Sequence, residues 1–171
     1  MTIEQANKHF SSLPEGFAPA EGLRAALTAD VQKVQFGGVA GTAGKIAAAG
    51  LLAAVLREAA FHVGFYRAGC EPLSARIAIG GVSVDPVLLC QAAEALNAAK
   101  PLPREAAELA AAARCFGAAG CKLAVVELPD AGLASALPNM PVCAVTAIGP
   151  DGVCRSVERL AALAAGVMRK D

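Results

Sequence analysis

Apolar residues dominate this chain, and their pattern is clearest from Val34 to Tyr66. An apolar run (Val34 to Ala40) feeds a short turn, Gly41-Thr42-Ala43-Gly44-Lys45, and an alanine- and leucine-rich stretch of helical length follows, Ile46 to Ala60. A second apolar run, Phe61 to Tyr66, has strand length. Strand, helix and strand in that order, with both strands mostly apolar, predict a βαβ unit whose strands are parallel and buried.

The rest of the pattern extends this unit. Glu21 to Ala29 predicts a helix with Leu23, Ala26 and Leu27 on one face, and Ala75 to Val84 alternates around Gly80-Gly81, which predicts a small β-hairpin. Asp85 and Pro86 supply a carboxylate cap and a first-turn proline for a helix to about Ala98, with Val87, Leu88, Cys90 or Ala93, and Leu96 inward. Pro101 and Pro103 interrupt the chain before a second helix, Arg104 to Ala119, with alanine along its buried side and Gly120 as its stop. Lys122 to Glu127 predicts a short strand, and Pro138 to Pro141 a loop. Val142 to Ile148 predicts a further buried strand, and Ser156 caps a last helix, Val157 to Met168. Residues 1–19, with Pro14, Gly16 and Pro19, predict a lead-in with little regular structure beyond a turn of helix. The expected architecture is a three-layer α/β fold of P-loop type, a mostly parallel sheet flanked by helices, formed as one domain by residues 20–171.

Composition narrows the packing. The 171 residues are 56% hydrophobic and only 4% aromatic, so the core must be built from closely packed Ala, Leu and Val. Ile46 to Leu56, the longest apolar run, is bracketed by Lys45 and Arg57 and falls short of the ~20 residues that cross a bilayer. Fifteen basic and fifteen acidic residues cancel, which leaves no surplus charge to drive nucleic-acid or membrane binding. The opening Met-Thr-Ile-Glu-Gln lacks a basic leader and apolar core, so a cytoplasmic setting is expected. Six cysteines (70, 90, 115, 121, 143 and 154) form no C-x-x-C pair and suit reduced, packed thiols better than disulfides or zinc.

The turn after the first strand carries the chemistry. Glycines at 41 and 44 allow backbone N–H groups to converge, and the helix that follows presents its own unpaired N–H groups at the same point. Lys45 would bring a full positive charge to the phosphates of a nucleotide. The general P-loop pattern also wants glycine at 39 and a hydroxyl at 46, where this chain has Val39 and Ile46. A plain glycine turn capped by a lysine is the competing reading. Glu127, at the carboxyl end of its strand, should point toward the phosphate loop, against the alternative of a strand-end acid facing solvent. His9 reads as a lead-in residue and His62, at the start of the second strand, as a packed or edge position, and no Ser/His/Asp or Cys/His arrangement can be assembled.

The Gly41 to Lys45 turn resembles the G-T-N-G-K-G-S turn of folylpolyglutamate synthases, relatives of the Mur peptidoglycan ligases, and the likeness runs from Gly22-Leu23-Arg24 to Gly166-Val167. Gly64-Phe65-Tyr66 is similar to the family's G-L-Y, and Arg76 to Val84 to its E-R-I-x-I-N-G-x-x-I hairpin. The resemblance implies an ATP-binding domain, with Gly41, Thr42, Ala43, Gly44 and Lys45 on the phosphates and Mg²⁺ on Glu127, matched to the glutamate of V-x-E-V-G-x-G-G, and on Thr42. Several family features are replaced. Ala68-Gly69-Cys70 stands for S-P-H, Gly149-Pro150-Asp151-Gly152 lacks the histidine of I-G-x-D-H, and Ala164 takes the place of a metal-assisting lysine. The chain also ends where the family would continue into a second, amino-acid-binding domain.

The family's ligation needs a presented γ phosphate, one or two Mg²⁺ ions and a domain for the attacking amine. Three readings follow. The first is a shortened synthase-like domain that binds ATP or another phosphorylated small molecule without completing the ligation. The second is the ATP-binding half of a split ligase whose other half is a separate chain, and the third is a scaffold whose phosphate loop is a relic. Apolar faces left open by truncation predict a homodimer.

Overall fold

A computed structural model describes residues 1–16, 20–129 and 131–149. Asp130, the Pro150-Asp151-Gly152 turn, Cys154 and the expected helix Val157 to Met168, with its Ser156 cap and Ala164, lie outside the described residues.

The expected βαβ unit is present, as β1 (Gln35–Ala40), α3 (Lys45–Glu58) and β2 (Val63–Tyr66). Two helices precede it, α1 (Ile3–Ser12) and α2 (Ala20–Ala25). The hairpin strands β3 (Ile77–Ile79) and β4 (Val82–Ser83), helices α4 (Pro86–Asn97) and α5 (Arg104–Ala118), and strands β5 (Leu123–Glu127) and β6 (Val142–Val145) complete the described α-helices and strands. They form a six-stranded sheet in the order β4-β3-β2-β5-β1-β6. β2, β5, β1 and β6 run parallel, and the hairpin continues the sheet from β2 in antiparallel fashion. The three-layer, mostly parallel α/β expectation holds.

Strand periodicity divides the core in two. Phe36, Ala40, Tyr66, Ala124 and Val126 face a large layer with α1, α4 and α5, whereas Val39, Val63 and Val125 face Ala49 and Ala53 of α3. Small residues set the spacing between layers. α5 is buried from Ala106 to Ala113, and a methyl group added to Gly64 of β2 would overlap the ring of Phe116 on that helix. α3 turns Ala49 and Ala53 to the sheet and leaves Ile46, Leu51 and Val55 exposed. Among the described residues no helix is long and apolar enough to cross a membrane.

Several local expectations need correction. Residues 3–12 are a regular helix, not a loose lead-in: Thr2 and Gln5 form a reciprocal capping box, and Ala6 and Phe10 are buried in the main core. The helix expected over Glu21 to Ala29 stops at Ala25 and gives way to a 3₁₀ turn over Ala29–Lys33. On α4 the inward set is Leu89, Ala92, Ala93 and Leu96, while Val87 lies outside at 59% exposed. β6, expected to be buried, lies at one edge of the sheet formed by the described residues, with Val142 61% and Val145 40% exposed.

One charged cluster sits inside the large core layer. The Arg76 guanidinium donates two hydrogen bonds to the Glu108 carboxylate (2.9 and 2.5 Å) and one to the Glu71 carbonyl (2.8 Å), and Arg104 adds a bond to Glu108 at 3.0 Å. Burial works against the Arg76 charge, and the bonds and charge of Glu108 outweigh it. The Tyr66 hydroxyl is buried beside the pair, close enough to feel both charges, with no hydrogen-bond partner of good geometry among the described residues. Burial pushes the Tyr66 phenol well up and the thiols of Cys115 to about 12 and Cys121 to about 11.

Two outcomes are expected. Glu108→Ala strands the Arg76 charge in the core and should cost about 3–5 kcal/mol in urea unfolding. Above about pH 9 the unfolded chain loses thiol protons that the folded chain keeps, so stability should fall as pH rises from about 9 toward 12. Urea midpoints at pH 8 and pH 10.5 under reducing conditions check the sign, and a higher midpoint at pH 10.5 would contradict it.

Candidate functional site

The sheet brings the residues that the sequence singles out to one place. In the parallel register Val39 lies beside Glu127 and Tyr66 beside Val126, so the turn after β1, the end of β5 and the segment after β2 emerge together at the carboxyl ends of adjacent strands. That edge is where open parallel sheets take ligands.

The turn is shaped by its glycines and tied down by the segment after β6. Gly41 has φ 133°, a conformation open to glycine, and a Cβ there would lie 2.6 Å from Thr146 Oγ1 and 2.8 Å from the Ala147 carbonyl oxygen. Gly44 is left-handed (φ 78°) and serves as N-cap of α3. The Thr146 hydroxyl lies within hydrogen-bonding distance of the carbonyls of Ala43 (2.6 Å) and Ala40 (3.2 Å). Thr42 is held on three sides. Its N–H donates to the Ala147 carbonyl at 2.9 Å, its hydroxyl donates to the same oxygen at 3.3 Å, and that hydroxyl accepts the Gly149 N–H at 3.0 Å. The Thr42 amide is therefore committed within the protein. The bond from Ala48 N–H to the Gly44 carbonyl is the first at the head of α3, so the helix offers no acceptor to the N–H groups of Lys45, Ile46 and Ala47. Ala43 and Gly44, which lead into those amides, are exposed.

Lys45 points from the head of α3 toward β5, and its Nζ lies 3.6 Å from Glu127 Oε1. Glu127 Oε2 accepts the Ala68 N–H at 3.1 Å. Glu127 is only 3% exposed, which overturns the reading of it as a solvent-facing acid. One carboxylate thus links Lys45, at the end of the Gly41 to Lys45 turn, to the loop after β2. Across that loop Arg67 pairs with Glu71 at 2.9 Å and Cys70 is exposed. His9 packs edge-on to Phe10 with ring centroids 5.3 Å apart, and His62 is exposed just ahead of β2, outside the strand.

The Gly41 to Lys45 turn and Glu127, both visible in the sequence, meet in space. Thr146, Gly149 and the Ala68 amide escape sequence reasoning. Thr146 carries a signal, as a hydroxyl in an otherwise apolar strand segment, but its partners lie more than one hundred residues away in the chain. The other two act through backbone atoms, which no side-chain pattern reveals.

No protein-family model matches the sequence, and no curated protein matches it significantly. Solved structures do. E. coli FolC in complex with DHPP and ADP superposes with a TM-score of 0.84 at 18% identity, covering 100% of this chain and 45% of that one. The fold is that of the folylpolyglutamate synthases. The apo form of L. casei FPGS gives 0.83 at 21% identity over 99% of this chain and 47% of that one, and the FPGS–AMPPCP complex gives 0.83 at 22% over 99% and 46%. The chain spans a little under half the length of these synthases. The likeness read from Gly41-Thr42-Ala43-Gly44-Lys45 and Gly64-Phe65-Tyr66 therefore holds for the synthase fold over nearly the whole chain.

Gly41→Ala tests the tie between the turn and the segment after β6. The added methyl would meet Thr146 and Ala147, and overpacking of this kind costs about 1–3 kcal/mol. Thermal unfolding should show that loss, and an unchanged melting temperature would contradict the close approach.

Proposed function

We propose that this chain is a folylpolyglutamate synthase-like nucleotide-binding domain in which the Gly41 to Lys45 turn receives the phosphates of ATP or of another phosphorylated small molecule. The observation that carries the reading is the placement of the exposed Ala43-Gly44 backbone, the first amides of α3 and the Lys45 ammonium together at the carboxyl edge of β1 and β5. Backbone N–H groups, a helix N-terminus and one ammonium form a chemical match for a multiply charged oxyanion. Structural neighbours in complex with ADP and with AMPPCP support the same ligand class.

In this reading the domain binds its ligand in a cytoplasmic setting without completing a ligation by itself, a reading supported by Ala68-Gly69-Cys70 standing where the synthases carry S-P-H. A second reading is that the domain is the ATP-binding half of a split amide ligase whose other half is a separate chain. The exposed Leu51 and Val55 of α3 and Val142 of β6 favour association, with a second copy or with such a partner chain.

Isothermal titration with ATP tests the proposal. Wild type should bind, and Lys45→Ala should weaken binding about ten- to a hundredfold, the worth of one charge-assisted contact. Equal binding by the variant, or none by wild type, would remove the nucleotide reading. A partner chain that restores ATP turnover would favour the split ligase.

A further inference from the structure

The synthase resemblance gives Glu127 and Thr42 to Mg²⁺. As placed, this donor set does not fit that ion. Mg²⁺ takes near-octahedral oxygen ligands at about 2.0–2.1 Å. The Thr42 hydroxyl already accepts from Gly149 and donates to Ala147, and the Glu127 oxygens face the Ala68 amide and the Lys45 ammonium. Ile46, where a P-loop carries its metal-binding hydroxyl, offers no oxygen in its side chain. Among the described residues no three His, Cys, Asp or Glu side chains gather as a metal site.

We propose instead that Glu127 is the counter-ion of Lys45, and that phosphate binding here is independent of divalent metal because the incoming phosphate competes with Glu127 for the Lys45 ammonium. The inference rests on the phosphate-site reading above and gives Glu127 the opposite sign of effect from a metal ligand.

A carboxylate buried to 3% exposure needs a compensating charge, and Lys45 is the ammonium within reach. The separation of 3.6 Å is longer than a tight ion pair, and the lysine side chain keeps 20% of its surface exposed. Lys45 can therefore turn toward a ligand at the head of its own helix. When it does, Glu127 retains the Ala68 N–H, and the loop after β2 stays anchored. A metal ligand would draw the phosphate in through a shared cation. A counter-ion holds it off.

Calorimetry of the full chain with ATP and with sodium tripolyphosphate, each in EDTA and in Mg²⁺, separates the two roles. Wild type should bind both ligands in EDTA, with no gain on adding Mg²⁺. Glu127→Gln, which keeps an acceptor for Ala68 and removes the charge, should bind both more tightly in EDTA by about tenfold. Binding that requires Mg²⁺ in wild type, or Mg²⁺-dependent binding lost in Glu127→Gln, would overturn this inference and leave the phosphate site standing. Failure of wild type and variant alike to bind either ligand under any condition would remove the phosphate site and this inference together. Circular dichroism melting establishes that the variant is folded, and the wild-type comparison in EDTA and Mg²⁺ decides the metal question without it.

Discussion

The backbone leaves β1 through a passage too narrow for any side chain. At Gly41 the φ angle is one that glycine tolerates, and the space where a Cβ would stand is occupied by Thr146 and Ala147. The two restrictions act together, because the same close approach that excludes a side chain allows the Thr42 amide to reach the Ala147 carbonyl. The turn is thereby fixed against the strand at one edge of the described sheet. The direction in which α3 departs, and with it the positions of Lys45 and the first helical amides, follows from that attachment.

Charge is handled differently beside α5 and at the site. Around Arg76 and Glu108 each guanidinium finds a carboxylate or carbonyl at close range, and Arg104 adds a second cation to the same acid. That cluster is tightly bonded and belongs to the architecture. Lys45 and Glu127 are looser, with one amide on the acid and a partly exposed ammonium facing it. Loosely paired charge is the kind that a ligand can rearrange, and this sets these two residues apart from the more tightly bonded trio.

Much of this was legible in the amino-acid order. The βαβ unit, the Gly80-Gly81 hairpin, the Asp85-Pro86 helix start and the Gly41 to Lys45 turn are local signals, each carried by a few neighbouring residues with strong backbone preferences. The differences have non-local causes. Residues 3–12 have the polar content of a tail, yet Ala6 and Phe10, four residues apart on a helix, suffice to dock it. β6 is as apolar as a central strand but lies at an edge of the described sheet, and no sequence pattern states a strand's position in the sheet order. On α4 Ala93 and Leu96 lie inward as expected, whereas Leu89 is the fully buried residue of the first turn and Leu88 packs only partly, because a run of apolar neighbours over Val87 to Cys90 gives no contrast to choose among them.

The alanine helix α5 has a consequence for how this protein can change. Its residues from Ala106 to Ala113 are enclosed on nearly all sides, and Phe116 already fills the gap opposite Gly64. A helix in that position has no tolerant face: almost any enlargement would have to push a neighbouring layer aside, and there is little left to shrink. Sequence drift in such a domain is channelled outward, to helices such as α3 whose bulkier residues already stand clear of the sheet, so the surface can diversify while the interior spacing stays where the smallest side chains put it.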